Sequence, residues 1–313
     1  MCGCAPEPVC KHRAVTAPSG TNVVLEFDDY RAEVTEVGAG LRTLTRSGVE
    51  LVAGYGPRER CTGDRGQLLL PWPNRIEGGR YTFGGQDWQL PVSEPASVNA
   101  IHGLVRWMAW RLLDSSASSV RWGCTVYPQP GYGGHLELAV AYDVSADGLR
   151  VETSVTNVGD APAPYGAGAH PYLTVGREID GCELTLPAAQ RCPSDQRGLP
   201  RPAEPAGRHG FDFRHRRRIG DAVFDDAFTD LERDGDGRAW SELLDPDSGR
   251  RARLWVDPSY RWLQVFSGEG QGELRRQALA VEPMTCPPNA FATSLDLVVL
   301  QPGETHVATF GIS

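Results

Sequence analysis

The chain has 313 residues and a formal net charge of -9, and these properties exclude several functions. An acidic protein lacks the broad positive field that binds nucleic acid, and nothing attracts it to an anionic membrane. Lys11 is the only lysine, so enzymes that form a Schiff base on a buried, activated lysine are not expected.

Residues 1–20 are predicted to form a tail in front of a single domain, residues 21–313. Cys2, Cys4 and Cys10 crowd this tail, but it has no Cys-x-x-Cys pair of the kind that marks zinc sites, so spare thiols are the simpler interpretation. The first twenty residues lack the apolar core of a signal peptide, and no later stretch reaches the ~18 apolar residues of a membrane span. We therefore expect a cytoplasmic protein with reduced cysteines.

From residue 21 onward, apolar residues recur mostly at every second position, which is typical of strands. Residues 135–144 place five apolar side chains on one face, and a turn at residues 146–148 leads to a partner strand at residues 149–158. The same pattern predicts further hairpins within residues 81–90, 253–266 and 297–312. No window of ~12 residues sustains a helical stripe, so the chain is predicted to be an all-β sandwich or barrel.

Residues 70–76 are the first segment that interrupts the strand pattern, and in it two prolines bracket Trp72. Trp72 offers a flat apolar face for the C–H groups of a sugar ring, while Asn74 and Arg75 offer donors for its hydroxyl groups. A rigid edge loop with a surface arginine explains the same residues equally well.

Two histidines also lie outside regular strand alternation. His102 stands between Ile101 and Gly103, and His170 precedes Pro171, which favours an extended backbone at the histidine. A lone histidine is usually structural, but binding and catalytic residues concentrate in loops of this kind. The glycines before His170 do not match a dinucleotide-binding loop, because the third glycine is missing and no helix is predicted to follow.

Residues 186–218 are the least regular part of the chain. The basic run at residues 214–218 suggests either a phosphate-binding patch or, more simply, a solvated loop, since one short basic run in an acidic chain is weak support for anion binding. Asp225 and Asp226, which follow between aromatic residues, either bind hydroxyl groups or flank a turn.

Glu282 follows three apolar residues and leads into a proline-rich segment, residues 283–291. A carboxylate at the end of an apolar strand is partly desolvated, and this raises its pKa toward the range that suits a general base. The alternative is a surface or helix-capping glutamate, but no helix is predicted to follow. Cys286 has no histidine or aspartate close in sequence to activate it, so a packed thiol is expected.

Taken together and in order, these segments resemble the aldose 1-epimerase, or galactose mutarotase, family. They are spread over most of residues 21–313, and the last is the most specific. The matching segments are residues 71–76, 102–104, 170–172, 225–228, 264–268 and 282–291.

The resemblance implies a large antiparallel β-sandwich of the galactose mutarotase type, with the sugar in an open groove. It implies that Glu282 is the general base and His170 the general acid, and that no metal or organic cofactor is needed. The residues that would bind and orient the sugar are Asn74, Arg75, His102, Asp225 and Gln264. Asp225 is preferred to Asp226 for its distance to Phe228.

The expected activity is that of an isomerase that interconverts the α and β anomers of a free aldohexose such as galactose or glucose. Mutarotation removes a proton from the anomeric hydroxyl and adds one to the ring oxygen, so it needs one base and one acid. The expected partner is this small-molecule sugar, and the chain is expected to be a monomer or weak dimer.

Three alternatives remain open at this point. One is a glycoside hydrolase on a similar sandwich, which would use Asp225 and Glu282 as paired carboxylates. Another is a non-catalytic carbohydrate-binding module. The third is a metal site formed by His102, His170 and Glu282, whose side chains are of the types that bind zinc.

Overall fold

The computed structural model describes residues 17–313, which form antiparallel strands joined by turns and by a few short helical turns. The helical turns are α1 Ala290–Thr293 and the 3₁₀ turns Ile179–Gly181, Arg208–Gly210 and Gly272–Leu274. In chain order the strands are β1 Asn22–Phe27, β2 Tyr30–Thr35, β3 Leu41–Arg46, β4 Val49–Val52, β5 Leu68–Leu69, β6 Arg75–Glu77, β7 Arg80–Phe83, β8 Gln86–Gln89, β9 Asn99–Ile101, β10 Arg111–Ser115, β11 Ser119–Val126, β12 Leu136–Ser145, β13 Gly148–Asn157, β14 Ala163–Tyr165, β15 Gly168–Ala169, β16 Tyr172–Leu173, β17 Glu183–Thr185, β18 Ala188–Cys192, β19 Glu204–Pro205, β20 Arg217–Arg218, β21 Asp225–Leu231, β22 Ala239–Leu244, β23 Arg251–Val256, β24 Trp262–Phe266, β25 Leu279–Met284, β26 Val298–Leu300 and β27 Thr305–Ile312.

Two large antiparallel sheets dominate the domain. The first has the strand order β1-β2-β3-β4-β16-β25-β24-β21-β18-β19, and β15 joins it by pairing with β25 and with β5. The second has the order β10-β11-β12-β13-β27-β23-β22-β17-β20. Three small pairs complete the strands: β14 with β26, β6 with β9, and β7 with β8. The all-β prediction is therefore confirmed.

The core lies between the two large sheets and draws apolar side chains from both. Leu25 and Val34 of the first sheet belong to the same buried cluster as Val140 and Val151 of the second. Strand β12 buries every second residue, as an amphipathic strand does when only one of its faces meets the core. Because alternation leaves the opposite face of each strand outside this core, the first sheet can carry polar side chains there.

Two of the predicted hairpins are confirmed and two are wrong. Strands β12 and β13 pair along their whole length, and β7 pairs with β8. However, β23 pairs with β22 and β27 in the second sheet, whereas β24 pairs with β21 and β25 in the first. Strand β26 pairs with β14 and not with β27.

Asp257 explains why the turn after β23 does not form a hairpin. Its backbone N–H donates to the Thr309 carbonyl at 3.0 Å, and its carboxylate accepts the Thr309 N–H at 2.8 Å. The turn is thereby fixed to β27 of the second sheet, and the chain then crosses to the first sheet.

Two of the four arginines in the basic run at residues 214–218 are paired with carboxylates. Arg214 pairs with Asp212 at 2.7 Å and with Glu232 at 3.1 Å, and Arg216 pairs with Glu242. These ion pairs favour a solvated surface segment over a phosphate-binding patch.

The segment that carries Cys2, Cys4 and Cys10 lies outside the described residues, as does Lys11. The five cysteines within residues 17–313 form no disulfide. In this part of the chain, no helix has the length and apolar character needed to cross a membrane.

Candidate active site

A cavity of about 330 Å³ with mostly polar walls brings together six of the seven predicted site residues. Those six are Asn74, Arg75, His102, His170, Asp225 and Glu282. The seventh, Gln264, is almost fully buried and does not line the cavity; its Nε2 donates to Asp225 Oδ1 at 2.8 Å. Gln264 is therefore placed to orient Asp225 and not to meet a ligand directly.

Three adjacent strands of the first sheet hold the acidic side of this cavity. Glu282 on β25 faces Gln264 on β24 as its direct cross-strand partner, and Asp225 begins the next strand, β21. Strand alternation directs Val265 and Val281 into the main core, so their neighbours Gln264 and Glu282 point to the other face. Glu282 lies inside β25 and not at its end, which buries its carboxyl more deeply than the sequence indicated.

His170 and Glu282 form the closer of the two histidine–carboxylate pairs in the cavity wall. His170 Nε2 lies 3.4 Å from Glu282 Oε1, and both side chains are nearly inaccessible, with exposed fractions of 6% and 2%. The backbone of His170 is held by hydrogen bonds to the turn before β5, from its N–H to the Gln67 carbonyl and from the Gly66 N–H to its carbonyl. Its ring stacks on Tyr172 at 4.9 Å, so the imidazole has a defined orientation.

Burial sets the protonation of this pair. Desolvation lowers the pKa of His170 from 6.5 to about 4, and it raises the pKa of Glu282 well above 4.5. The Asp225 carboxylate adds to the rise in the pKa of Glu282 through charge repulsion. Between the lowered pKa of His170 and the raised pKa of Glu282, the pair therefore shares one titratable proton, as a neutral imidazole and a neutral carboxylic acid. A general acid at His170 and a general base at Glu282 would begin as imidazolium and carboxylate, which hold the same number of protons but distribute them differently.

His102 and Asn74 fix each other beside His170, whose ring centroid lies 5.4 Å from that of His102. The Asn74 N–H donates to His102 Nδ1 at 3.2 Å, and the His102 N–H donates to the Asn74 carbonyl at 2.9 Å. Both residues have a positive φ, 60° for His102 and 52° for Asn74, which is uncommon outside glycine. A Cβ on Gly103 would lie 2.0 Å from the Leu70 carbonyl oxygen, so glycine is required immediately after His102.

Arg75 is held by a two-pronged ion pair with Glu94. Its Nε and Nη2 donate to the two carboxylate oxygens of Glu94 at 2.8 and 2.9 Å. The third nitrogen, Nη1, lies beneath Gly198, where a Cβ would approach it to 2.3 Å. Glu94 and Gly198 therefore set the position of the guanidinium at the cavity wall.

Trp72 does not have the sugar-stacking position that the sequence suggested as one possibility. It is buried, and its ring packs against Phe291 at 5.7 Å in the interior. The aromatic residues that line the cavity are Tyr172, Phe266 and Trp107, and Trp107 is 52% exposed.

Sequence reasoning missed three charged residues of the cavity wall, Asp64, Glu94 and Arg106. Asp64 pairs with Arg106, and Asp64 Oδ2 lies 3.9 Å from His102 Nε2. Of these three residues, only Arg106 had a signal in the sequence, because it follows His102 closely in the segment that also carries Trp107.

The two adjacent aspartates between Phe224 and Phe228 have different surroundings. Asp225 lines the cavity, whereas Asp226 pairs with Arg191 at 2.7 Å and accepts the Ser194 N–H. Within residues 17–313, no group of three or more His, Cys, Asp or Glu side chains is arranged to hold a metal ion.

Comparisons with known proteins agree on one family. The aldose 1-epimerase family model matches residues 22–313. The uncharacterized protein YihR of Escherichia coli K12 is 38% identical over 297 residues, which cover 94% of this chain and 93% of YihR.

Solved structures share the fold at low sequence identity. A GalM/aldose epimerase homologue from C. elegans has a TM-score of 0.81 and 20% identity, covering 94% of this chain and 99% of its own. A galactose 1-epimerase from Lactobacillus acidophilus has a TM-score of 0.74 and 21% identity, covering 93% of this chain and 94% of its own.

Proposed function

The chain belongs to the aldose 1-epimerase family, and we propose that it is a mutarotase that interconverts the α and β anomers of a free aldohexose such as galactose or glucose. The observation that carries this proposal is the 3.4 Å approach of His170 Nε2 to Glu282 Oε1 in the wall of a polar cavity. The shared fold with a galactose 1-epimerase supports galactose as the first sugar to test.

The spacing of the pair suits the two oxygens that must exchange protons. The anomeric hydroxyl and the ring oxygen are bonded to the same carbon, so a base and an acid must act at neighbouring positions. Glu282 as carboxylate takes the proton of the anomeric hydroxyl while His170 as imidazolium gives one to the ring oxygen, and the bond from C1 to the ring oxygen breaks. The C1–C2 bond of the open aldehyde rotates, and the reverse transfers close the ring on the other face.

The balance of this cycle matches the electrostatics of the pair. After ring opening, Glu282 is neutral and His170 is neutral, which is the arrangement that burial favours. At the open-chain stage, neither His170 nor Glu282 therefore carries a charge in the low-dielectric wall of the cavity. Ring closure returns both protons, and none is consumed.

The remaining polar residues are proposed to bind the sugar hydroxyl groups. Asn74 and His102 line one side of the cavity, Arg75 lies beside them, and Asp225 lies near Glu282 on the sheet. Most of these side chains are held by protein partners before any ligand arrives. Such preorganisation reduces the entropy that binding must overcome.

The proposal is tested by following anomerisation of pure α anomers of galactose, glucose and other aldohexoses by polarimetry or exchange NMR. We expect acceleration above the spontaneous rate for at least one sugar. Binding without acceleration would favour a carbohydrate-binding module, and release of reducing sugar from an aryl glycoside would favour a hydrolase.

Replacement of Arg75 by alanine is expected to raise KM by roughly tenfold and to leave kcat nearly unchanged, because a hydrogen bond to a ground-state hydroxyl is lost. Arg75→Lys is the matched control, since it keeps the charge but loses the fork that pairs with Glu94. Steady-state anomerisation rates over a range of sugar concentrations measure both constants. A fall in kcat alone would contradict a role in ground-state binding.

A further inference from the structure

We propose that Asp64 is a further substrate-binding residue, and that Asp64 and His102 together hold one sugar hydroxyl group between them. This inference rests on the proposed function, because it assigns a contact within the same cavity. Asp64 lies in the turn between β4 and β5, in a part of the chain that carries no segment of the family resemblance.

The turn that carries Asp64 is fixed to the catalytic histidine. The Gln67 N–H donates to the Asp64 carbonyl at 3.0 Å, and the Gly66 N–H donates to the His170 carbonyl at 2.8 Å. A Cβ on Gly66 would lie 1.9 Å from the Leu41 carbonyl oxygen, so this turn packs tightly against β3. Asp64 therefore has a defined place relative to His170.

Arg106 fixes the carboxylate itself. Its Nη1 donates to Asp64 Oδ1 at 2.5 Å, and its Nη2 donates to the Ile101 carbonyl at 3.0 Å. The guanidinium thus joins Asp64 to the end of β9, where His102 begins. Because Oδ1 is occupied by Arg106, Oδ2 is the oxygen that remains to accept a further hydrogen bond.

His102 supplies the complementary donor. Its Nδ1 accepts the Asn74 N–H, and burial lowers the pKa of His102 well below 6.5, so the neutral ring carries its proton on Nε2. His102 Nε2 lies 3.9 Å from Asp64 Oδ2, which is too far for a direct hydrogen bond. A donor and an acceptor therefore face the cavity side by side without satisfying each other.

A hydroxyl group satisfies both, because it accepts one hydrogen bond and donates another. Its oxygen would accept from His102 Nε2 and donate to Asp64 Oδ2, at roughly 2.8 Å from each atom. An ether or carbonyl oxygen has no proton for Asp64, and an anionic oxygen is repelled by its carboxylate. The pair therefore selects a sugar with a free hydroxyl at this position.

The test combines Asp64→Asn with a panel of monodeoxy analogues of the sugar that the enzyme accepts. In the wild type, removal of the bridging hydroxyl is expected to lower kcat/KM by ~10²-fold, because Asp64 and His102 both lose a hydrogen-bond partner. For Asp64→Asn, kcat/KM for the parent sugar is expected to fall by most of that factor. In this variant, kcat/KM for the same deoxy analogue should be little lower than kcat/KM for the parent sugar. The other deoxy positions should remain as important in Asp64→Asn as in the wild type.

His102→Gln is the second variant in the test. Its effect on kcat/KM is expected to disappear for the analogue that lacks the same hydroxyl group. Asp29→Asn is the matched control, because Asp29 also pairs with an arginine, Arg46, but lies outside the cavity. If Asp64 only stabilises its turn, Asp64→Asn will lower kcat/KM by the same factor for every analogue. No single hydroxyl position will then account for the loss, and the inference is overturned. If Asp64→Asn does not fold, coupling of His102→Gln to no hydroxyl position also overturns it.

Ligand-observed NMR on the same panel separates this inference from the proposed function. If a hexose binds through a hydroxyl group whose contribution depends on Asp64, but its anomerisation is not accelerated, only the proposed function is contradicted. A hexose that is anomerised without such coupling contradicts the role of Asp64 alone, and absence of binding by every hexose contradicts both.

Discussion

Replacement of Glu282 by glutamine is expected to lower kcat by ~10²–10⁴-fold, the usual contribution of one acid–base group, and at the same time to stabilise the fold at neutral pH. Glutamine has nearly the same shape as glutamate but cannot accept or release a proton. The rate falls because Glu282 is the one carboxylate within 4.0 Å of His170 Nε2 among the described residues.

The gain in stability follows from the raised pKa of Glu282. In the unfolded chain the carboxyl ionises near its ordinary pKa of 4.5, whereas burial holds it protonated in the folded protein to a higher pH. As the pH rises above 4.5, ionisation stabilises the unfolded state and not the folded one. Glutamine removes this difference, so its stabilising effect grows with pH above 4.5 and vanishes below it.

Thermal melts of the wild type and Glu282→Gln between pH 4 and pH 8 measure the effect, which we expect to reach roughly 2–5 °C in Tm at neutral pH. Glu242→Gln is the control, because Glu242 pairs with Arg216 on the second sheet, away from the cavity. A near-normal anomerisation rate in Glu282→Gln would remove Glu282 from the role of base. A Tm difference that does not change with pH would show that its carboxyl is not penalised by burial.

The sequence sufficed for the fold class because strand periodicity is local. Within residues 135–158 apolar residues recur mostly at every second position, and the segment pairs as β12 and β13 through a two-residue turn. Residues 253–266 contain the same signals of strand, turn and strand, but they cross from one sheet to the other. The local pattern does not distinguish a hairpin within one sheet from a connection between the two sheets. The difference depends on the hydrogen bonds that Asp257 forms with Thr309.

The site could be predicted where a residue breaks a pattern. Glu282 stands out as a charge among buried apolar neighbours, and His170 as a histidine beside proline among small residues. Asp64 and Glu94 do not stand out, because acidic residues in turns are ordinary. Trp72 was ambiguous for the opposite reason: a tryptophan between prolines has the same sequence whether its ring faces a sugar or, as here, packs on Phe291.

The raised pKa of Glu282 was expected from the sequence, but the lowered pKa of His170 was not. An ordinary pKa of 6.5 suggested an imidazolium at working pH, but the ring of His170 is enclosed by Tyr172, His102 and the Glu282 carboxyl. Tyr172 is close to His170 in sequence, but His102 and Glu282 come from two distant parts of the chain. Desolvation by distant segments is a property of the tertiary structure, and no local motif encodes it.

His170 therefore leads to a second prediction of large effect: the activity of the wild type should persist well below pH 6.5 and decline only as the pH approaches about 4. The pair works with one shared proton. Below the lowered pKa of His170 the pair takes up a second proton and loses its base, and above the raised pKa of Glu282 it loses its only proton and with it the acid. The plateau therefore lies between these limits.

His170→Gln is expected to lower kcat by ~10²–10⁴-fold and to remove the decline near pH 4 from whatever activity remains. Exchange NMR at each pH, corrected for the spontaneous rate in the same buffer, measures both effects. Thermal melts give an independent readout: since folded His170 resists the proton that the unfolded chain accepts near pH 6.5, His170→Gln should gain stability relative to the wild type as the pH falls from 6.5 toward 4. An activity limb near pH 6.5 would mean that His170 titrates like an exposed imidazole, and burial would then not govern the proton shared by the pair.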